Sequence, residues 1–251
     1  IIRKGQPVGL IQGFKSAGFY TVDDFNYDSS TGTYTLKSGV PDIASIVNYP
    51  NGVKGFKLAS GQTAFPGAVK FEDINGDGVV NDDDATVIGK TMPKHTRGFN
   101  INASYKNFDF SAGFTYQIGG DVYNANSMHS MMGDKDNSLG QNRLAFVSDC
   151  YKIYNVDTDG NLVLVTDPTS LSTLNANAKY ALNYSEYGIA SSQFIEDASY
   201  LRLQTLTLGY SLPKNLLKRV GVQNCRIYFT GSNLFCISGY SGLDPEVNTN
   251  S

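Results

Sequence analysis

A run of about twenty residues alternates between apolar and polar side chains, and this alternation limits the fold more than any other feature of the sequence. Apolar residues stand two apart from Phe99 to Tyr105, and the pattern begins again at Phe108 and continues to Ile118. A period of two places one set of side chains on each face of a β-strand. The interruption at Lys106-Asn107 predicts a tight turn between two antiparallel strands.

The second of these runs favours a strand that crosses a membrane. It holds about ten residues, which matches a tilted membrane-crossing strand better than the roughly five or six residues of a globular strand. One face is large and aromatic, whereas the other is small and polar. The alternation by itself also fits a hairpin on the surface of a soluble protein, where the polar face meets water.

The composition excludes several classes of protein. Uninterrupted apolar runs reach at most about four residues, whereas a transmembrane helix needs roughly 20. The net charge of −3 argues against a nucleic-acid-binding protein, which would carry a basic surface. The hydrophobic fraction of 41% argues against a disordered chain. A membrane β-barrel stays possible, because its signal is alternation rather than total hydrophobicity.

A second hairpin is predicted near the end of the chain. Tyr200–Leu212 has the character of a strand, but its apolar parity changes between Leu203 and Leu206, which we interpret as a β-bulge or as the transition from the rim to the membrane. Arg226–Ile237 is the predicted returning strand. Between the two hairpins lie residues 120–197, which are rich in Asn, Ser, Asp and Tyr. Connections of this length are usually functional.

The acidic segment 73–84 has the ligand spacing of an EF-hand calcium loop. Oxygen-bearing side chains occupy positions 1, 3, 5, 9 and 12, and Gly78 stands at position 6, where such a loop turns sharply. Calcium takes roughly six to eight oxygen ligands, and alternate side chains of a curled loop converge on one point. The predicted ligands, including the carbonyl group at position 7, are Asp73, Asn75, Asp77, Val79, Asn81 and Asp84.

Two features of this segment depart from an EF-hand. Position 12 is Asp84 rather than the usual bidentate glutamate, and residues 69–71 have the character of an entering strand rather than a helix. The alternative interpretation is a solvated acidic turn built by Asn75-Gly76 and Asp77-Gly78. The sequence leaves calcium binding and a simple turn as two open alternatives.

The side chains that enzymes use form no catalytic constellation in this sequence. His95 and His129 are the two histidines, and neither stands near a second metal ligand or a nucleophile pattern. Glu196-Asp197 is a carboxylate pair at a loop–strand junction, with no evident pocket. We therefore expect a binding or transport protein rather than an enzyme.

Four blocks of sequence together cover roughly residues 70–118 and 195–247. They are Phe71-Glu72-Asp73-Ile74-Asn75-Gly76-Asp77-Gly78, Tyr105-Lys106-Asn107-Phe108-Asp109-Phe110-Ser111, the segment Ala198–Pro213, and Gly231-Ser232-Asn233-Leu234-Phe235 with Tyr240–Glu246. In this order they resemble the C-terminal part of the SusC/RagA family of TonB-linked outer-membrane transporters.

The resemblance implies an all-β fold, namely a segment of an antiparallel transmembrane β-barrel of about 22 strands with long extracellular loops. It implies the outer membrane of a Gram-negative bacterium as the location. Members of the family import oligosaccharides, or in some cases peptides, with a SusD-like surface lipoprotein as a lid and TonB as the energy source. Residues 1–251 would form the C-terminal part of such a barrel, with the plug domain, the TonB box and the last strand outside this segment.

The order of turns and loops agrees with this topology. If the last strand ends in the periplasm, counting back places Lys106-Asn107 and residues 213–225 on the periplasmic side. Residues 73–84 and 120–197 then lie outside the cell, the latter as a long extracellular loop. Short connections fall on one side and long ones on the other, as in outer-membrane barrels.

The same topology assigns side chains to lipid and to substrate. Six tyrosines of the long loop are candidates for stacking on sugar rings, and the alternative is that they pack the loop against itself. These residues are Tyr123, Tyr151, Tyr154, Tyr180, Tyr184 and Tyr187. The residues expected to face lipid are Phe108, Phe110, Phe114, Tyr116, Leu206, Leu208 and Tyr210. The competing class of function is a secreted soluble calcium-binding β-domain for carbohydrate binding or adhesion.

Overall fold

The computed structural model describes residues 5–43, 55–131, 144–182, 189–218 and 221–246. The chain divides into two compact units. The first comprises Leu10–Ile88 and Asn124–Ile195, and the second comprises Ile2–Gly9, Gly89–Tyr123 and Glu196–Ser251. Among the described residues, no helix is both long enough and apolar enough to cross a membrane.

Strands dominate the secondary structure. The strands are β1 (Leu10–Gly13), β2 (Ser16–Phe19), β3 (Phe25–Asp28), β4 (Thr33–Leu36), β5 (Lys57–Leu58), β6 (Val69–Phe71), β7 (Thr86–Lys90), β8 (His95–Tyr105), β9 (Phe108–Ile118), β10 (Asp121–Tyr123), β11 (Tyr154–Val156), β12 (Leu162–Leu164), β13 (Ile195–Asp197), β14 (Tyr200–Ser211) and β15 (Arg226–Ser238). The α-helices are α1 (Ala125–Met131), α2 (Pro168–Leu174) and α3 (Lys214–Leu217). Short 3-10 helices lie at Val22–Asp24, Asp82–Asp84, Ala145–Asp149 and Ser192–Phe194.

The second unit contains an antiparallel sheet of four long strands in the order β15-β14-β9-β8. Tyr105 pairs with Phe108, so the turn between β8 and β9 holds only Lys106 and Asn107, as predicted. Lys106 adopts a left-handed backbone with φ of 54°. Both neighbours of β14 change register between Leu203 and Thr205. Of the two interpretations of the parity change, the β-bulge is therefore confirmed.

Strand register sorts the side chains of this sheet into two chemically distinct faces. The apolar face carries Phe99, Ile101, Tyr105, Phe108, Phe110, Phe114, Tyr116, Ile118, Leu201, Leu203, Leu206, Leu208, Tyr210, Ile227, Phe229, Phe235 and Ile237, and His95 and Arg97 at the end remote from the β8–β9 turn. The opposite face carries mainly Asn100, Asn102, Ser104, Asp109, Ser111, Thr115, Gln117, Arg202, Thr205, Thr207, Ser211, Arg226, Thr230 and Ser232. The alternation predicted from Phe99 to Ile118 is thus confirmed.

The apolar face of the sheet is open rather than covered by a core. The side chains of Phe108 and Phe229 are 61% and 66% exposed, and that of Leu208 is 49% exposed. Phe110, Phe114 and Tyr116 are half-buried between their neighbours on the sheet. The rings from Phe108 to Tyr116 therefore do not lie inside a closed, water-excluded interior.

The first unit has a true core built from short strands. β1 pairs with β7, β2 with β6, β4 lies between β3 and β5, and β11 pairs with β12. Tyr34 packs edge-on against Phe25 with ring centres 5.8 Å apart. The buried residues include Tyr20, Phe25, Tyr34, Ile43, Phe65, Val69, Phe71, Val80, Tyr151, Ile153, Leu171 and Phe194. Much of segment 120–197 thus packs with residues 10–88 in the first unit.

Candidate functional site

The acidic loop lies between a buried strand and a short 3-10 helix. β6 leads into it, as predicted, and Phe71 at the end of this strand is buried. The 3-10 helix Asp82–Asp84 follows, and its first turn is capped by Asn81, whose side-chain oxygen accepts a hydrogen bond from the Asp83 backbone at 2.8 Å. The segment therefore enters from a strand and lacks the paired helices of an EF-hand.

The first half of the loop is shaped by side-chain oxygens that accept hydrogen bonds from its own backbone. The two carboxylate oxygens of Asp73 accept from the N–H groups of Gly76 and Gly78, at 2.6 and 2.8 Å. The amide oxygen of Asn75 accepts from Asp77 N–H at 2.8 Å. Both glycines have left-handed φ angles, 77° and 89°, that residues with a Cβ rarely adopt. The loop is therefore curled, with glycine at position 6.

Asp84 is buried, and backbone groups of the loop satisfy its carboxylate. One oxygen accepts from the N–H groups of Ile74 and Asn75, at 2.8 and 3.2 Å, and the other accepts from Asn81 N–H at 2.8 Å. Burial alone would raise the pKa of Asp84, but these hydrogen bonds favour the charged form and lower the pKa below its usual value. Asp84 thus organises the backbone at both ends of the loop.

A residue far upstream fixes the carbonyl group at position 7. The Asp42 N–H donates to the Gly78 carbonyl at 3.1 Å, and the Asp42 carbonyl accepts from Val80 N–H at 2.8 Å. Because these two peptide groups flank Val79, its own carbonyl points away from the bridge, where it accepts a hydrogen bond from Asn81 Nδ2 at 3.3 Å. The sequence did not predict this role of Asp42, because no local pattern links it to the loop.

The exposed oxygens of the loop are those that a cation would meet first. Asn75 and Asp77 are exposed, and Asp73 and Asn81 are half-buried. A carboxylate oxygen that accepts one backbone N–H keeps a second acceptor position for a hard cation. In the described part of the chain, no group of three or more His, Cys, Asp or Glu side chains is arranged to hold a metal ion. The six predicted residues share one loop, but their carboxylates do not converge as a group.

An ion pair crosses the polar face of the four-stranded sheet near the β8–β9 turn. Arg226 of β15 donates to both carboxylate oxygens of Asp109 on β9, with Nε at 2.9 Å from Oδ1. Gly209 of β14 lies between these two strands, and a Cβ at this position would overlap both charged side chains. The missing side chain at Gly209 is therefore what allows the ion pair to span three strands.

At the other end of the same face, Arg202 of β14 holds the segment that follows β15. Its Nη2 lies 2.7 Å from Asp244 Oδ1 and 3.0 Å from Glu246 Oε2. The Tyr200 hydroxyl donates to the second oxygen of Glu246. The guanidinium of Arg202 lowers the pKa of Asp244 below its usual value. We call Arg202, Asp244 and Glu246 the arginine clamp; sequence reasoning did not find it.

The sequence is similar to those of known TonB-dependent receptors. The chain is 28% identical over 248 residues to TonB-dependent receptor P3 of Formosa agariphila. The matched region covers 99% of the chain and 19% of that receptor. It is also 32% identical over 182 residues to TonB-dependent receptor SusC of Bacteroides thetaiotaomicron. This matched region covers 71% of the chain and 15% of SusC. The chain is a segment of a SusC-like TonB-dependent receptor. No protein-family model matches it.

Solved structures agree with this assignment at the level of the fold. A structure of the RagAB peptide importer in its closed-closed state superposes with a TM-score of 0.53, at 20% identity, over 94% of this chain and 20% of that chain. The SusC-like segment thus spans about a fifth of the length of the proteins that it matches. Its fold is a segment of an antiparallel transmembrane β-barrel, as the sequence predicted.

The tyrosines proposed for sugar stacking lie in different environments in this SusC-like segment. Tyr151 is 4% exposed and packs edge-on against Phe19, and burial raises the pKa of its hydroxyl to about 12. Tyr180 packs edge-on against Phe146, with ring centres 5.2 Å apart. Tyr154 is exposed. Tyr123 is half-buried, whereas Tyr184 and Tyr187 lie outside the described residues. Internal packing therefore occupies Tyr151 and Tyr180.

Proposed function

We propose that the protein containing this segment is an outer-membrane importer of nutrients that takes up oligosaccharides or peptides. In this proposal a SusD-like surface lipoprotein acts as its lid, and TonB supplies the energy. Residues 73–84 and 120–197 lie on the extracellular side. The names of the receptors P3 and SusC support TonB dependence, and the solved RagAB structures are those of a peptide importer.

The exposed apolar face of the four-stranded sheet is the observation that carries this proposal. A contiguous surface that includes Phe99, Phe108, Leu208 and Phe229 would promote aggregation in water. In a bilayer the same surface is covered by acyl chains. The opposite face, with its Asn, Ser and Thr side chains and its Asp109–Arg226 ion pair, suits the polar interior of a barrel.

The test uses the full-length protein in two measurements. Purified in detergent, it is expected to be monodisperse and to aggregate when detergent is removed. Cells that carry it are expected to accumulate labelled oligosaccharides or labelled peptides only while TonB is present, and the two labelled pools identify the class of cargo. Monodisperse behaviour in plain buffer, or uptake that is indifferent to the loss of TonB, contradicts the proposal.

We further propose that the acidic loop binds Ca²⁺ or a similar hard cation. The spacing of oxygen ligands, the left-handed glycine at position 6 and the exposure of Asn75 and Asp77 support this proposal. The position-7 carbonyl of Val79 is already oriented by the Asp42 bridge. On the extracellular side the cation would stabilise a loop near the proposed lid.

Thermal unfolding in calcium and in chelator tests the cation. Replacing Asp73 and Asp77 with Ala is expected to remove the stabilisation that calcium gives, because both carboxylates occupy ligand positions. Asp83→Ala is the matched control, since Asp83 is an exposed carboxylate of the same loop outside the ligand positions. A wild-type protein that unfolds at the same temperature in calcium and in chelator contradicts cation binding.

A further inference from the structure

A groove opens on the apolar face of the sheet beside the β8–β9 turn. Its volume is about 300 Å³, and its apolar lining comes from Ala103, Tyr105, Phe108, Phe110 and Leu208, while Asp109 also borders it. The groove exists because the small side chain of Ala103 stands between large neighbours on the same face. An extended hydrocarbon chain fits such a channel, because each methylene group gains dispersion contacts with the ring faces.

The turn beside this groove places a positive charge at its mouth. Lys106 is exposed, and its Nζ lies 5.2 Å from the centre of the Tyr105 ring. Because Tyr105 itself lines the groove, the ammonium group lies against one of the side chains that form it. A lysine whose stem follows an apolar surface while its charge reaches polar surroundings is typical of a membrane interface.

The whole of this end of the sheet is basic. The N–H of Ser211 donates to the carbonyl of Asn107 at 2.8 Å, so the segment after β14 lies beside the β8–β9 turn. That segment carries Lys214 and Lys218, both exposed. Asp109 is the one acidic residue within the stretches 99–111 and 205–230, and Arg226 already neutralises it. The chain as a whole has a net charge of −3, so this basic end is a local exception.

We propose that this end of the sheet binds an anionic phospholipid, with one acyl chain in the groove and the phosphate on Lys106. Lys214 and Lys218 supply the surrounding positive field. The inference rests on the membrane placement proposed above, and it adds a specific lipid site to it. The proposed topology puts the turn on the periplasmic side, where the bilayer leaflet consists of phospholipid, and this selects a glycerophospholipid rather than lipid A.

Native mass spectrometry of the full-length protein in detergent, titrated with phosphatidylglycerol, tests the site. Removing the charge with Lys106→Asn is expected to weaken binding about fivefold, as for one lysine beside an anionic lipid. Asparagine is chosen because it tolerates the left-handed backbone at this position. Lys106→Arg keeps the charge and is expected to retain binding. Ala103→Leu fills the groove and is expected to weaken binding while every charge stays in place.

The control is Lys94→Gln, which removes an exposed lysine at the other end of the same sheet and is expected to leave binding unchanged. Equal phosphatidylglycerol binding by wild type, Lys106→Asn and Ala103→Leu overturns the site, and so does tighter binding of lipid A than of phosphatidylglycerol. Detergent dependence is measured on the same samples. A protein that needs detergent but binds no lipid at the groove refutes this inference and leaves the transporter proposal intact.

Discussion

The arginine clamp gives a prediction whose size follows from its burial. Only 12% of the Arg202 side chain is exposed, whereas those of Asp244 and Glu246 are 45% and 49% exposed. Hydrogen bonds to charged groups contribute roughly 1.5–3 kcal/mol. Because both carboxylates can be rehydrated by water, we take the lower end of that range, about 1.5 kcal/mol for the clamp as a whole. Arg202→Gln is therefore expected to increase the equilibrium population in which segment 239–246 is open about tenfold.

Hydrogen exchange of the full-length protein in detergent measures this opening. The backbone N–H groups of Ser241 and Glu246, which are hydrogen-bonded in the clamped segment, are expected to exchange about tenfold faster in Arg202→Gln. Arg226→Gln is the matched control, because it breaks an ion pair at the other end of the same face of the sheet. Unchanged exchange in Arg202→Gln, or an equal increase in Arg226→Gln, would refute the reasoning.

Three further perturbations test other parts of the structure. Leu206→Arg places a charge on the apolar face at the middle of β14 and is expected to cost roughly 2–4 kcal/mol of stability in vesicles, whereas Thr207→Arg on the opposite face costs far less. Similar losses in urea titrations would contradict the assignment of faces. Gly209→Ala separates Arg226 from its carboxylate partner, Asp109. Its effect on the melting temperature should therefore not add to that of Arg226→Gln, and additive losses would contradict the placement of Gly209 beneath this ion pair. The folded-state pKa of Asp84 is lowered, so its stabilisation is present above the unfolded pKa of about 3.9 and is lost as pH falls through the folded value. Measured in chelator, Asp84→Asn should therefore lower the free energy of unfolding near neutral pH and lower it progressively less in acid. A loss of free energy of unfolding that is the same at every pH would contradict this prediction.

The four-stranded sheet was predictable because its signals are local. A period of two assigns every residue to a face once the strands are known, and a two-residue break at Lys106-Asn107 requires a tight turn. The bulge in β14 was visible for the same reason, since one extra residue moves the following side chains to the other face. Leu203 and Leu206 therefore break the alternation in the sequence, and the pairing changes register between Leu203 and Thr205.

The acidic loop was only partly predictable. Its ligand positions and glycines are spaced within one short segment, so the curled path follows from local sequence. The burial of Asp84 and the bridge from Asp42 depend on contacts with distant chain segments, and these determine which oxygens are free. Whether a cation binds there stays a prediction.

Much of the first unit and the arginine clamp escaped sequence analysis for a common reason. β5 holds two residues, and β11 and β12 hold three each, which is too short for any periodicity to be read. Tyr34 is buried, and its hydroxyl donates to the carbonyl of Thr166, which lies 132 residues away in the chain. Arg202 stands alone among apolar neighbours, and the carboxylates that pair with it come from a later segment. Long-range packing of this kind leaves no local pattern.

Adjacent residues of β15 offer the most direct test of the claim that one face of the sheet contacts lipid and the other does not. Phe229 and Tyr228 are almost equally exposed, 66% and 63%, but they lie on the apolar and the polar face respectively. A spin label is placed at each position in turn, in the full-length protein with its native cysteines replaced and reconstituted in vesicles. The label at 229 should be relaxed mainly by oxygen, which concentrates in the bilayer, and the label at 228 mainly by a water-soluble nickel complex. Equal access of the nickel complex to both labels would contradict the account.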